Sequence, residues 1–341
     1  MKKALANLAL LVVTLAACYL IADRAAARLL ARPPQPYPTT RFDNPRLIAN
    51  SFGKRDYEYP EQKAPGIFRI AAVGDSFTQG GGVNFDDIYP KRLERYLNEY
   101  ENVRGVRYQA LNWGRPGSST PSQAALVREW AARYGVDLVV LGFCLNDAED
   151  ESDRPALQAI RARSILVEFE KGGGLAGFLY DNSSLVRLVR QRLFQTRRNR
   201  GHLDYYREIY AETYPGWKKS AAAIADLGRF RAESGIPVVV MIYPLFSWEL
   251  DERYPFRDVH ERLHREFEKA GLPYLDLLPV YRGLDHRVLE AVPFKDPHPS
   301  DVAHRIAAEE LYRFLKDAKL LPAGEKEARK AINRRVPPPW D

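Results

Sequence analysis

The sequence predicts an α/β fold, a parallel sheet covered by helices, with an apolar helix ahead of it. Three observations predict this. From Phe68 onward, short β-type runs alternate with helix-length segments, the pattern of parallel strands joined by crossover helices. Several runs end in glycine or polar residues, as strands do at the ligand-binding edge of such sheets. Lys2 and Lys3 precede an apolar stretch, residues 4–22, broken only by Asn7 and close to the roughly 20 residues that span a bilayer.

The elements follow in order. Residues 68–73 form a first strand that ends in Gly74-Asp75-Ser76, and a helix over 89–100 follows. A second strand over 107–112 ends in Trp113-Gly114-Arg115-Pro116-Gly117, and Ser119 or Thr120 caps a helix reaching Tyr134. The third strand, 137–144, breaks at Leu145-Asn146-Asp147. A helix over 217–234 leads to a strand over 236–243, and a helix over 257–270 leads to a short strand at 274–277. The last helix, 300–315, follows Asp296-Pro297-His298-Pro299.

Between Asp147 and Pro215 the alternation lapses. This insertion, about 148–215, is expected to act as a cap or lid and carries Arg187, Arg190, Arg192, Arg197, Arg198 and Arg200. The predicted organisation is an anchor or signal segment over 1–32, a proline-containing linker over 33–66, a main domain over 67–320, and a basic tail over 321–341.

At 341 residues and 45% apolar content the chain can bury a substantial core. Two cysteines, Cys18 and Cys144, exclude a disulfide framework, and no Cys/His cluster has zinc-finger spacing. The net charge of +7 comes with no nucleic-acid-binding motif, which excludes that class of partner. The amino-terminal segment has three readings: a cleaved secretory signal, a lipobox at Leu15-Ala16-Ala17-Cys18 that would lipidate Cys18, or an uncleaved anchor. The anchor is preferred because Tyr19-Leu20-Ile21-Ala22 stays apolar beyond the cysteine. Arg24, Arg28 and Arg32 rival the two lysines, so charge does not fix orientation. Membrane attachment facing the extracytoplasmic or periplasmic side is the expectation.

The chemistry lies at the strand ends. Ser76 is a weak nucleophile unless a base stands within hydrogen-bond reach. His298 can be that base, and Asp296 can fix its tautomer and stabilise the imidazolium. The backbone N–H groups of Ser76 and Gly117 and the side-chain amide of Asn146 are the candidate oxyanion donors. Each has a bland alternative: a turn serine, a positive-φ glycine, a turn asparagine, a surface histidine.

In their joint order these blocks resemble the SGNH, or GDSL, hydrolase family over roughly residues 68–315. Gly74-Asp75-Ser76 is similar to its first block, Asn112 through Gly117 to its second, Asn146-Asp147 to its third and Asp296-Pro297-His298-Pro299 to its last. The resemblance implies a three-layer α/β/α sandwich with a flavodoxin-like sheet, and serine-dependent hydrolysis of acyl or acetyl esters without a cofactor or metal. Two positions depart from the family pattern. Lys295 stands where its aspartate usually does, three before the histidine, and Cys144 replaces a glycine. A Ser-His dyad helped by a backbone carbonyl therefore stays open beside the triad.

His260-Glu261-Arg262-Leu263-His264 matches the zinc-protease motif H-E-x-x-H. Val259, Leu263 and Phe267 supply the apolar face of that helix, and Arg262 and Arg265 oppose a cation, so a solvated surface helix is expected and no metal is assigned. The expected substrate is an O-acetylated cell-envelope polysaccharide, deacylated or acylated. The alternatives are a lipid esterase or lysophospholipase and, in another class, a catalytically inactive glycan-binding protein. The oligomeric state is not legible.

Overall fold

A computed structural model of the chain describes residues 2–31, 49–101, 103–164, 172–292 and 296–323. The proline-rich stretch at 33–38 and the tail from 326 lie outside them. The described residues cluster into two compact units, Met1–Pro36 with Arg154–Glu208, and Tyr37–Asp153 with Ile209–Asp341.

The helices are α1 (Lys2–Leu30), α2 (Ser76–Gln79), α3 (Tyr89–Tyr96), α4 (Thr120–Arg133), α5 (Arg154–Ser164), α6 (Gly174–Asn182), α7 (Ser184–Ile209), α8 (Pro215–Ser234), α9 (Arg257–Lys269), α10 (His286–Leu289) and α11 (Asp301–Asp317). The strands are β1 (Ile67–Gly74), β2 (Arg107–Asn112), β3 (Leu138–Cys144), β4 (Val238–Tyr243), β5 (Tyr274–Asp276), β6 (Glu290–Val292) and β7 (Asp296–Pro299).

β1 to β5 form one parallel sheet in the order β2-β1-β3-β4-β5. This is the flavodoxin-like order, whose chain reversal between β1 and β3 opens a crevice at the carboxyl edge. β3 and β4 read Leu-Val-Val-Leu-Gly-Phe-Cys and Val-Val-Val-Met-Ile-Tyr, and every residue in them is buried. Such unbroken apolar strands are covered on both faces. Each buried valine or isoleucine contributes roughly 1.5–3 kcal/mol of hydrophobic stabilisation. α3 packs on α11 in one helical layer, while α8 packs on α4 and α9 in the other.

The strand and helix assignments read from sequence hold to within one or two residues for the sheet, with α3 giving way to a π-turn at Leu97–Glu101. Three local features differ. Ser119 stands at the amino cap of α4 without a side-chain cap bond, and its hydroxyl donates to Glu151 at 3.1 Å. Asp296 and His298 belong to β7, which pairs antiparallel with β6 in a small separate ladder. His260 is buried, at 2% exposure, so α9 is not simply a solvated surface helix.

The regular structure described in the other unit is all helical. Leu5–Leu30 is long and apolar enough to cross a membrane. Tyr19 Oη donates to Ser183 Oγ at 2.7 Å, and Asp23 Oδ1 accepts from Ser183 Oγ and from the Leu185 N–H at 2.7 and 2.8 Å. The carboxylate of α1 therefore caps the amino end of α7. Leu175 and Phe178 on α6 and Leu193 on α7 are exposed.

Candidate active site

The site begins with the turn after β1. The Asp75 carboxylate accepts the Phe77 N–H at 2.8 Å and caps α2, and Gly80 closes the helix in the left-handed region at φ 82°. The turn leaves Ser76 at the head of a single helical turn, its hydroxyl half-buried at the carboxyl edge. Close packing requires glycine here. A Cβ on Gly74 would stand 2.6 Å from the Gly142 carbonyl, and one on Gly114 would meet the Gln79 backbone.

His298 Nε2 lies 2.9 Å from Ser76 Oγ, and His298 Nδ1 lies 2.5 Å from Asp296 Oδ1. Asp296 Oδ1 also accepts the His298 backbone N–H at 3.1 Å. Spacing of two is what a strand can use, since residues two apart on β7 share a face. The β6–β7 ladder comes close because residue 82 is glycine: a Cβ there would stand 2.7 Å from the Ala291 Cβ. Hydrogen bonding to His298 holds the Asp296 carboxyl below its usual range, and the bond from Asp296 raises the imidazole of His298 against the opposing effect of burial.

On the other side of Ser76, among the described residues, the backbone N–H groups of Ser76 and Gly117 meet no acceptor. Gly117 has φ 68°, a conformation glycine takes without steric cost. The Asn146 amide nitrogen donates to Asp75 Oδ2 at 3.1 Å, which aims the side chain at the same turn and uses one of its two N–H groups. Burial pushes the Asp75 carboxyl up, opposed by its bonds from Phe77 and Asn146. The structure thus joins Ser76, His298 and Asp296 by hydrogen bonds and ties Asn146 to the same turn through Asp75, while Gly117 lies in the loop after β2, an arrangement whose side chains can serve acyl transfer.

Sequence reasoning missed the supports of this site. Arg55 and Asp56, assigned to a linker, are 6% and 1% exposed. Arg55 donates to the Gly80 and Val83 carbonyls, fixing the turn that carries Ser76. Asp56 accepts the Asn112 N–H at 2.6 Å and pairs with Lys91 at 2.6 Å. The Asn112 side chain reaches the Arg55 and Gln79 carbonyls and accepts the Gly114 N–H. The adjacent Arg-Asp pair was the available signal, lost among other charged residues around it.

Tyr243, the last residue of β4, is fully buried and packs edge-on against Phe77, which lies 5.6 Å from the His298 ring. A cavity of about 250 Å³ lies beside the Trp113–Ser118 turn and includes Lys54 and Arg115 in its wall. Burial and the Arg115 charge push the Lys54 amine down to about 8. Ser76 and His298 do not line that cavity.

Residues 72–306 match the GDSL-like lipase/acylhydrolase family, a span well over half the chain. No curated protein matches the chain. Among solved structures, it is similar to a lipase/acylhydrolase from Enterococcus faecalis, at 15% identity, 75% of this chain and 100% of that one, TM-score 0.42. An acetylxylan esterase from Geobacillus stearothermophilus matches at 17% identity over 72% and 93%, TM-score 0.43. A family 3 carbohydrate esterase from Clostridium thermocellum matches at 13% identity over 74% and 96%, TM-score 0.38.

Proposed function

This chain belongs to the GDSL-like lipase/acylhydrolase family, and from that premise we propose that it is a membrane-attached, serine-dependent ester hydrolase using Ser76, His298 and Asp296. The observation that carries the reading is the unbroken relay from Ser76 Oγ to His298 Nε2 at 2.9 Å and from His298 Nδ1 to Asp296 Oδ1 at 2.5 Å.

Ser76 Oγ attacks the ester carbonyl carbon while His298 Nε2 takes its proton. The carbonyl oxygen becomes an oxyanion facing the N–H groups of Ser76 and Gly117 and the free amide N–H of Asn146. Each such donor is worth about 2.7–4 kcal/mol in the transition state. The imidazolium, stabilised by Asp296, then protonates the departing alkoxide, leaving an acyl-serine and an alcohol. Water, deprotonated by His298, releases the acid and restores the serine. Replacing that water with a sugar hydroxyl would make the same site a transferase. No step calls for a metal.

The proposed substrate is an O-acetylated polysaccharide of the cell envelope. Two features support it: the apolar helix α1, tied to α7 through Asp23, suits a retained anchor on the extracytoplasmic side, and the arginines of α7 suit an anionic polymer. A lipid ester is the second reading, favoured by exposed Leu175 and Phe178 on α6.

Ser76→Ala in the full chain should lower turnover of p-nitrophenyl acetate by several orders of magnitude, and a fluorophosphonate should label wild type alone. Equal turnover, or absence of Ser76 labelling beside a labelled control esterase, would refute the assignment. A rate that peaks at acetyl supports the glycan reading, and one that rises with acyl length supports the lipid reading.

A further inference from the structure

We propose that His260, His264 and Asp276 form a binding site for a zinc-class divalent cation, separate from the ester-cleaving centre, that fastens helix α9 to the edge strand β5. Nothing in the proposed hydrolysis uses these three residues.

The geometry starts from α9. Residues four apart in a helix stand one above the other on a shared face, so both imidazoles project the same way. Asp276 ends β5 beside them. Both carboxylate oxygens of Asp276 are 3.0 Å from His260 Nδ1, and Oδ2 is 2.8 Å from His264 Nε2. The three ligand-capable atoms all lie within 4.8 Å of one another. Zinc bonds of about 2.0–2.2 Å in a tetrahedral site separate ligand atoms by about 3.4 Å. Small side-chain rotations would therefore admit an ion.

The cluster is held in place. The Leu278 N–H donates to Asp276 Oδ1 at 2.9 Å, orienting the carboxylate as an outer-shell partner does in a metal site. The His264 ring stacks on Tyr274 at 4.6 Å and 15°, and His260 packs edge-on against Tyr254 at 5.7 Å. His260 is buried, while the His264 side chain is 28% exposed and opens a route from solvent. His260 Nε2 has no hydrogen-bond partner, so bonds at that nitrogen do not dictate the ring's tautomer.

The donor chemistry selects the ion. Two imidazoles and one carboxylate suit zinc and its neighbours, whereas calcium and magnesium prefer oxygen throughout. Three protein ligands leave a fourth position for water. Binding places the lone pairs of His260 Nδ1 and His264 Nε2 on the ion. Each neutral ring keeps its one proton on its other nitrogen, and any imidazolium proton leaves to solvent.

Of the two arginines that argue against a cation from sequence, Arg265 is exposed and Arg262 is engaged elsewhere. The Arg262 guanidinium turns away from the cluster, stacking on Trp217 at 4.3 Å and pairing with Glu212 at 2.5 Å. The cluster also lies toward the carboxyl edge of the sheet. The amino-terminal half of α9 follows β4, and Asp276 is the carboxyl-terminal residue of β5.

The test uses the tag-free full chain in detergent, stripped with chelator and dialysed against buffered Zn²⁺. Elemental analysis should find about one equivalent of zinc. At 100-fold excess over Kd, zinc should raise the Tm by about 4–5 °C. Asp276→Asn and His264→Gln should lose both effects, while Ser76→Ala keeps them. That contrast separates this proposal from the esterase assignment. His264→Gln removes a partly exposed ring, so it decides the matter if Asp276→Asn does not fold. Substoichiometric zinc, an unmoved Tm, equal zinc in wild type and His264→Gln, or a shift with Ca²⁺ or Mg²⁺ but not Zn²⁺ would each overturn the proposal.

Discussion

Asp296→Asn tests the least conventional part of the site, an acid two residues before its histidine. The substitution keeps the shape of the side chain and removes its charge. In the native site one carboxylate oxygen receives both the ring Nδ1–H and the backbone N–H of His298. Unit charges about 4 Å apart interact by ~1 kcal/mol in water and ~4 kcal/mol at an effective dielectric constant near 20. The Asp296 and His298 side chains are 37% and 34% exposed, which places the pair between these limits. A loss of about 2 kcal/mol lowers the rate ~30-fold. Loss of tautomer control adds to this, up to the ~10⁴-fold seen when a triad acid becomes an amide. The expected fall in kcat/KM is therefore ~10²–10⁴-fold, read with p-nitrophenyl acetate between pH 5 and 9. The sign of the pH effect follows from the same contact. His298 must be neutral to accept the serine proton, and Asp296 raises its pKa, so the wild-type acid limb lies above the ordinary histidine value of about 6.5. In the variant that limb moves to lower pH. A variant within threefold of wild type, with an unmoved limb, would refute the role of Asp296 and favour a Ser-His dyad.

Three further outcomes follow from the geometry. Asn146→Ala should reduce kcat by about 10²–10³-fold with little change in KM, since it removes an oxyanion donor. An unchanged kcat would remove Asn146 from the oxyanion hole. At Gly117 a Cβ meets no atom within 4 Å but must adopt φ 68°, so Gly117→Ala should cost about 1–2 kcal/mol of backbone strain, measured by urea unfolding. A large loss would show instead that the space is filled. Lys91→Met leaves Asp56 buried without its cation and should destabilise the fold by about 3–5 kcal/mol, lowering the urea midpoint. An unchanged midpoint would show that Asp56 does not need that partner.

Much of this molecule is legible along the chain because its signals are local. Unbroken apolar runs such as Val238–Tyr243 announce strands buried on both faces, and the glycine and polar residues after them mark the working edge of the sheet. Ser76, Gly117, Asn146 and His298 stand at such strand ends or just before the last helix, so order and spacing bring them to notice. The insertion was less legible. Its arginine-rich composition announces a break in the β/α rhythm, yet carries no sign that Asp23 of α1 would cap α7.

The parallel sheet, its helices and the residue types at the carboxyl edge can be read along the chain, because side-chain periodicity and turn chemistry act over a few residues. Folding in space sets which distant groups meet. It set Asp296 on His298 through a strand pairing that glycine at 82 permits, and it drew Arg55 and Asp56 against the turn that carries Ser76. It also turned Arg262 toward Trp217 while bringing Asp276 to both histidines of α9. The physical reason is that charge and hydrogen-bond energies depend on separation and burial in space, and neither quantity is written in the spacing of residues along a chain.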